Sequence, residues 1–143
     1  MGKSGMEKET PSGIDRLIAA YRNSVTGFRD IWRREEAFRQ EVVVLGLSVP
    51  LAVWIGNSLA HTGLLVGSIL FLIIVEILNS AIEATIDRIG TERHELSRIA
   101  KDLGSLAVMA TTLFPLARWG ASILSWLGLI ALSEVCLNKR LVM

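Results

Sequence analysis

The sequence predicts an all-α membrane protein, with three transmembrane helices preceded by an amphipathic helix lying in the membrane surface. Three observations carry that expectation. First, 51% of the 143 residues are hydrophobic, and the mean hydropathy of +0.47 is high for a soluble domain of this size. Second, charge is segregated into the two ends and one internal stretch. Third, the intervals between carry long apolar runs, from Val42 to Ile55, from Gly63 to about Ile86, and from Leu103 to Leu137. A helix needs about 20 residues to cross the hydrocarbon. The second and third runs reach that length alone, and the first reaches it when it begins near Ala37.

Taken in order, residues 1–12 are polar, contain Gly and Pro, lack the apolar core of a signal peptide, and read as a disordered tail. Residues 13–34 form an amphipathic helix. Ile14, Leu17, Ile18, Tyr21, Val25, Phe28 and Trp32 recur at helical spacing, while Asp15, Arg16, Arg22, Arg29, Asp30 and Arg33 fill the other side. Such a helix lies in the membrane surface with its arginines at the headgroups, or packs on protein; both readings put the same face inward. The first span is expected over 35–57 and the second over 62–89. A charged loop over 90–97 precedes a third span at 98–132, with a possible kink near Pro115, and a tail over 133–143.

The turn from Gly56 to Thr62 carries no Lys or Arg. The N-terminal segment carries eight, and the second connection carries Arg88, Arg93, Arg98 and Lys101. The positive-inside rule therefore puts the N-terminus and the 88–101 region in the cytoplasm and the C-terminus on the far side. A formal net charge of +1 gives no basic field for nucleic acid. Cys136 is the single cysteine, which excludes an intrachain disulfide and any cysteine-cluster metal site.

The second span holds the informative feature. At 100° per residue, Glu76, Asn79, Ser80, Glu83 and Asp87 fall on one side of a helix. Glu76 and Glu83 are two turns, about 10 Å, apart. Counted from Gly63, Glu76 lies about 20 Å into the membrane and Glu83 about 30 Å, near the cytoplasmic surface. A charged residue in mid-membrane costs about 2.5–3.5 kcal/mol, and the run Leu64–Val75 returns roughly 3–6 kcal/mol. The helix can insert, but alanine would insert more cheaply. The stripe could be polar glue between helices. Two carboxylates aimed at a basic cytoplasmic loop also suit a hard divalent cation and a proton acceptor, or a proton or ion relay. No phosphate-binding P-loop, protein-kinase glycine loop or nucleophile elbow occurs, so an ATP-using enzyme here would not use a standard soluble nucleotide fold.

Glu76-Ile77-Leu78-Asn79-Ser80-Ala81-Ile82-Glu83-Ala84, then Asp87-Arg88-Ile89-Gly90, His94-Glu95-Leu96-Ser97 and Ala100-Lys101-Asp102-Leu103-Gly104-Ser105, closely resemble the signature of the prokaryotic diacylglycerol kinase family. Glu35-Glu36-Ala37-Phe38-Arg39-Gln40-Glu41 resembles a second block, and the likeness is ungapped from about Gly13 to Ser105.

The resemblance implies a homotrimeric bundle of three-span subunits in the bacterial inner membrane, with active sites at subunit boundaries. It implies phosphorylation of diacylglycerol to phosphatidic acid by ATP. Glu76 would be the proton acceptor near the lipid hydroxyl, and Glu35 and Glu83 would hold the Mg²⁺ that accompanies ATP. Glu92, Arg93, His94, Lys101 and Asp102 match nucleotide-contacting positions, and Asn23 stands where the family commonly has a tyrosine that meets the nucleotide. Arg16, Phe38, Glu41, Trp54, Asn79 and Ser105 match positions around the lipid or its access route. Pro115 and Arg118 within the third span depart from the family pattern, and the chain runs past the family's usual end. The rivals are an undecaprenol kinase of the same architecture and a non-catalytic membrane subunit in which Glu76 and Glu83 relay protons or ions. The apolar run Leu64–Val75 offers a relay no continuation across the membrane.

Overall fold

The computed structural model describes residues 13–90, 92 and 94–129. All four elements are helices: α1 (Gly13–Arg34), α2 (Glu36–Ile55), α3 (Leu59–Ile89) and α4 (Glu95–Trp126). No strand occurs among the described residues. The chain divides into two compact units, Met1–Arg34 and Glu35–Met143, each taken by itself.

In the first unit, α1 buries no residue. Its apolar face stays open: Ile14, Leu17 and Tyr21 are each 71% exposed. Phe28 and Trp32, one turn apart, stack with ring centroids 5.7 Å from each other.

The second unit holds three helices long and apolar enough to cross a membrane. α3 packs against both α2 and α4, which barely touch one another. The core is the shared side of α3, where Leu65, Ser68, Ile69, Leu72, Ile73 and Glu76 recur at three- and four-residue spacing and are all buried. Ser48, Ala52, Ser68 and Ser122 are buried too, and small residues at such contacts let backbones approach closely.

Local chemistry sets the helix ends. Ser58 accepts a hydrogen bond from the His61 amide at 3.1 Å, so α3 begins at Leu59, three residues before the expected Thr62. At the turn before it, a methyl on Gly56 would run into Thr62 Oγ1 and the Ala52 carbonyl; only hydrogen fits there. His94 caps α4 by accepting from the Leu96 amide at 3.2 Å, which starts the helix at Glu95 rather than at 98. α4 continues unbroken through Pro115. It stops at Trp126, short of the expected 132, because Gly128 adopts a left-handed φ of 71°. The Gly128 amide then reaches the Ser125 carbonyl at 3.0 Å and the Leu129 amide the Leu124 carbonyl at 3.0 Å, the paired bonds of a Schellman ending. The expected tails, 1–12 and 133–143, lie outside the described residues.

Two tertiary contacts give the α3–α4 register. His61 bonds Ser122 at one end, and Asn79 meets Gly104 nearer the other; eighteen residues separate the pair on each helix, so the antiparallel helices run without slip. α2 has 20 residues and spans about 30 Å, the hydrocarbon thickness. α3 and α4 have 31 and 32 and span about 47 Å. Since the chain turns tightly between α2 and α3 at 56–58, the excess stands beyond the start of α2, as a two-helix projection of α3 and α4.

Candidate active site

The stripe read from the sequence comes together with α2 at the base of that projection. Ala52 and Ile55 pack on Leu65. Counting back along α2 and forward along α3 from there sets Glu41 level with Glu76, Phe38 with Asn79, and Glu35 with Glu83. The electrostatics agree: Glu76 lies within reach of the charges of Glu35 and Glu83, and Glu41 within reach of Glu76. Glu35, Glu41 and Glu83 thus each come within charge range of Glu76 where α2 begins.

Each is placed by a local cause. Glu35 occupies the N-cap of α2 in extended conformation but makes no side-chain capping bond, so its carboxylate is not spent on the helix. Phe38 is 2% exposed and anchors the first turn of α2 against the bundle. Glu76 is 6% exposed, and among the described residues it has no hydrogen bond that would mark it as interhelical glue. Asn79 donates to Glu83 Oε1 at 3.3 Å, which orients that carboxylate. Among the described residues, Glu41 Oε2 and Asn79 Oδ1 are buried acceptors without a partner, a state that costs free energy until a donor arrives. Asn79 fits only because Gly104 faces it. A methyl there would overlap the carboxamide oxygen and stand 3.2 Å from its carbon.

Above the carboxylates lies a cavity of about 540 Å³ between the ends of α3 and α4. Ile86, Asp87, Gly90, Glu92, His94, Glu95, Ser97, Arg98 and Lys101 line it. Lys101 Nζ donates to Asp87 Oδ1, tying the two helices together, and it also lies within reach of Glu83. Arg98 forks between Glu95 and Asp102, and its hydrogen bond holds the exposed Glu95 carboxyl below the ordinary value. These pairs are exposed and rearrange at little cost. His94 accepts its capping bond at Nδ1, so in the neutral ring Nε2 carries the hydrogen and is left as a donor.

Beside Glu41 a second hollow, of about 710 Å³, runs between α2 and α4 across α3. Its walls are mostly apolar: Leu47, Leu51, Leu72, Pro115, Leu116 and Trp119 among them, with Gln40 and Glu41 at one end.

The remaining expected residues fall elsewhere. Trp54 sits at the opposite end of α2, edge-on to Trp126 with ring centroids 5.3 Å apart, and the Leu65 level beside it is about 16 Å along α3 from Glu76. Ser105 is exposed beside Gly104. Arg16 and Asn23 are exposed positions on α1, in the other unit. Arg93 lies outside the described residues. Two participants were not singled out from the sequence. Asp87 was already on the stripe, but only its pairing with Lys101 shows its use. Gly104 gave no signal beyond being small.

The sequence profile of prokaryotic diacylglycerol kinases matches residues 22–123. The chain belongs to this family. It is 46% identical over 115 residues to a diacylglycerol kinase of Escherichia coli K12, covering 80% of this chain and 93% of that protein. A Pseudomonas aeruginosa diacylglycerol kinase is 39% identical over 113 residues, with 79% and 92% covered. One from Haemophilus influenzae is 38% identical over 109, with 76% and 92% covered. The matched region takes in α2, α3, most of α4 and the whole carboxylate cluster, so the prokaryotic diacylglycerol kinase family is defined over the part of the chain that holds the site. Arg16 lies outside the profile match, and Asn23 lies one residue inside its start.

Proposed function

We propose that this chain is an ATP-dependent diacylglycerol kinase of the bacterial inner membrane, with Glu76 as proton acceptor. The observation that carries the reading is the placing of Glu35, Glu41 and Glu83 around Glu76 at the start of α2, next to a cavity rich in charged side chains, in a member of this family.

In this reading the acyl chains of diacylglycerol lie in the apolar groove between α2 and α4, and the free hydroxyl reaches Glu76. Glu41 and Asn79 line the approach to Glu76 at about the same level of the bundle. The hydroxyl oxygen attacks the γ-phosphorus of ATP while its proton passes to Glu76. The bond from γ-phosphorus to the bridging oxygen breaks, and ADP leaves with that electron pair. Lys101 turns from Asp87 to the phosphates, and Glu92, Arg93, His94 and Asp102 hold the nucleotide. Phosphoryl transfer depends mainly on such positioning and charge neutralisation.

No group of three or more His, Cys, Asp or Glu gathers as a metal cage among the described residues. The donor set still suits Mg²⁺, which keeps its waters and binds through one or two carboxylates plus substrate phosphates. Glu35 and Glu83, level with one another and with Glu83 oriented by Asn79, are the pair for it. The ion would neutralise charge on the transferring phosphoryl group.

Burial of Glu76 without a bond to a neighbouring helix favours an enzyme over structural glue. The unbroken apolar run before it disfavours a relay. The test is phosphate transfer from labelled ATP in mixed micelles, with diacylglycerol and undecaprenol offered separately. Labelling of diacylglycerol is expected. Preferential labelling of undecaprenol would assign the chain to the other lipid, and no transfer to either would sink the kinase reading.

A further inference from the structure

At the end of the bundle away from the carboxylates, one charge has no counterpart among the described residues. Arg118 is the only Lys or Arg between Asp102 and Asn138, and it sits on α4 within a helix of membrane-spanning character. Its Nε is buried and makes no hydrogen bond, although the residue as a whole stays partly exposed. An arginine keeps its charge and offers five donors, so an unmatched one in hydrocarbon is costly.

The surrounding polar groups are already committed. The Asn57 amide donates to His61 Nδ1 at 3.3 Å, leaving Nε2 to donate to Ser122 Oγ at 2.9 Å. Ser122 in turn donates to the Arg118 carbonyl at 2.8 Å, and Trp119 Nε1 donates to the Leu65 carbonyl at 3.1 Å. These bonds clamp α4 to the first turns of α3, and among the described residues Arg118 Nε is left without an acceptor.

Nor does the far half of the described residues supply a carboxylate. No Asp or Glu occurs from Val42 to Val75 or from Leu103 to Ser133. A second copy inserted in the same orientation has the same acid-free half, so oligomerisation does not bring one either. Arg118 lies one turn, about 6 Å, deeper than Ser122, which is level with His61 at the start of α3. The side chain can therefore extend to the interface while its stem stays buried. Trp54 and Trp126 meet at that same end, where amphipathic rings sit at headgroup level.

We propose that Arg118, backed by the His61–Ser122 clamp, is a binding site for the phosphate of a phospholipid in the leaflet at this end, separate from the catalytic end. The proposal rests on the three helices spanning the membrane and not on the reaction assigned to Glu76.

The experiment is native mass spectrometry of the full chain in detergent, titrated with phosphatidylglycerol and, separately, with inorganic phosphate. The wild type, Arg118→Gln, Arg118→Lys and Glu134→Gln are compared, with helical circular dichroism and the gel-filtration profile as the check that each variant is folded. Wild type and Glu134→Gln should retain the lipid equally. Arg118→Gln should bind it about tenfold more weakly, the scale of losing charge-assisted hydrogen bonds, and Arg118→Lys should fall between. Equal retention by Arg118→Gln would overturn the site. Stronger lipid binding by Glu134→Gln than by wild type would show that Arg118 pairs with the chain's own C-terminal carboxylate instead. Inorganic phosphate displacing the lipid at equal concentration would reject the lipid as the source of the phosphate.

Discussion

At the scale of single residues, the site depends on side chains whose neighbours leave them unsatisfied. Glu76 is buried with no interhelical bond among the described residues, so its replacement by glutamine should cost chemistry rather than structure. Glu76→Gln is expected to lower turnover by about 100-fold or more, within the range of a lost general base, while the protein elutes from gel filtration as the wild type does. Near-normal activity in the mixed-micelle assay would refute the proton-acceptor role. Glu83 is oriented by Asn79 and faces the nucleotide side. Glu83→Ala should raise the Mg²⁺ concentration needed for half-maximal rate, by roughly tenfold for the loss of one charge-assisted ligand contact. An unchanged magnesium curve counts against its metal role. Gly104→Ala should push the Asn79 carboxamide off Glu83 and cost about 1–3 kcal/mol as an overpacked contact. A lowered Tm with a parallel loss of rate is the expected signature; full activity would mean that Asn79 can yield without consequence.

At the scale of the elements, the spans were legible because hydrophobicity and length suffice to define them. Their ends were less so. The sequence places the second span at Thr62, whereas Ser58 caps it at Leu59; the third extends to 132, whereas Gly128 turns the chain after Trp126. Apolar composition continues past both points, and only hydrogen bonding decides where a helix stops. The turn between α2 and α3 is tight enough to be tested. Gly56→Ala would drive a methyl into Thr62 Oγ1 and the Ala52 carbonyl, with an expected loss of about 1–3 kcal/mol in denaturant titration. Activity per folded molecule should be unaffected, because that turn lies at the far end from Glu76.

Across the whole molecule, α3 packs on one side against α2 and on another against α4, and its outer stripe of Leu70, Phe71, Ile74, Ile77, Leu78 and Ile82 remains exposed. Lipid or further copies of the chain must cover it. The family resemblance calls for a homotrimer, so light scattering with the detergent contribution subtracted should give three 15.7-kDa chains per particle. A monomer that retained full activity would show that one chain completes the site by itself.

Sequence alone was enough for the membrane class, the number of spans, the polar stripe on α3 and the family. Those are properties of composition, period and motif, and each is local along the chain. Two carboxylates on α3 were visible as a helical repeat and the resemblance named Glu35 and Glu41 beside them, but what sets these level across α2 and α3 is antiparallel register, which no single stretch encodes. The same holds for Asp87 with Lys101, for Gly104 as the space that admits Asn79, and for the clamp that leaves Arg118 without an acceptor. Each is a contact between residues distant in the chain, and packing, not local propensity, selects it. Trp54, which the resemblance places around the lipid or its access route, lies beside Trp126 at the end of α2 away from Glu35.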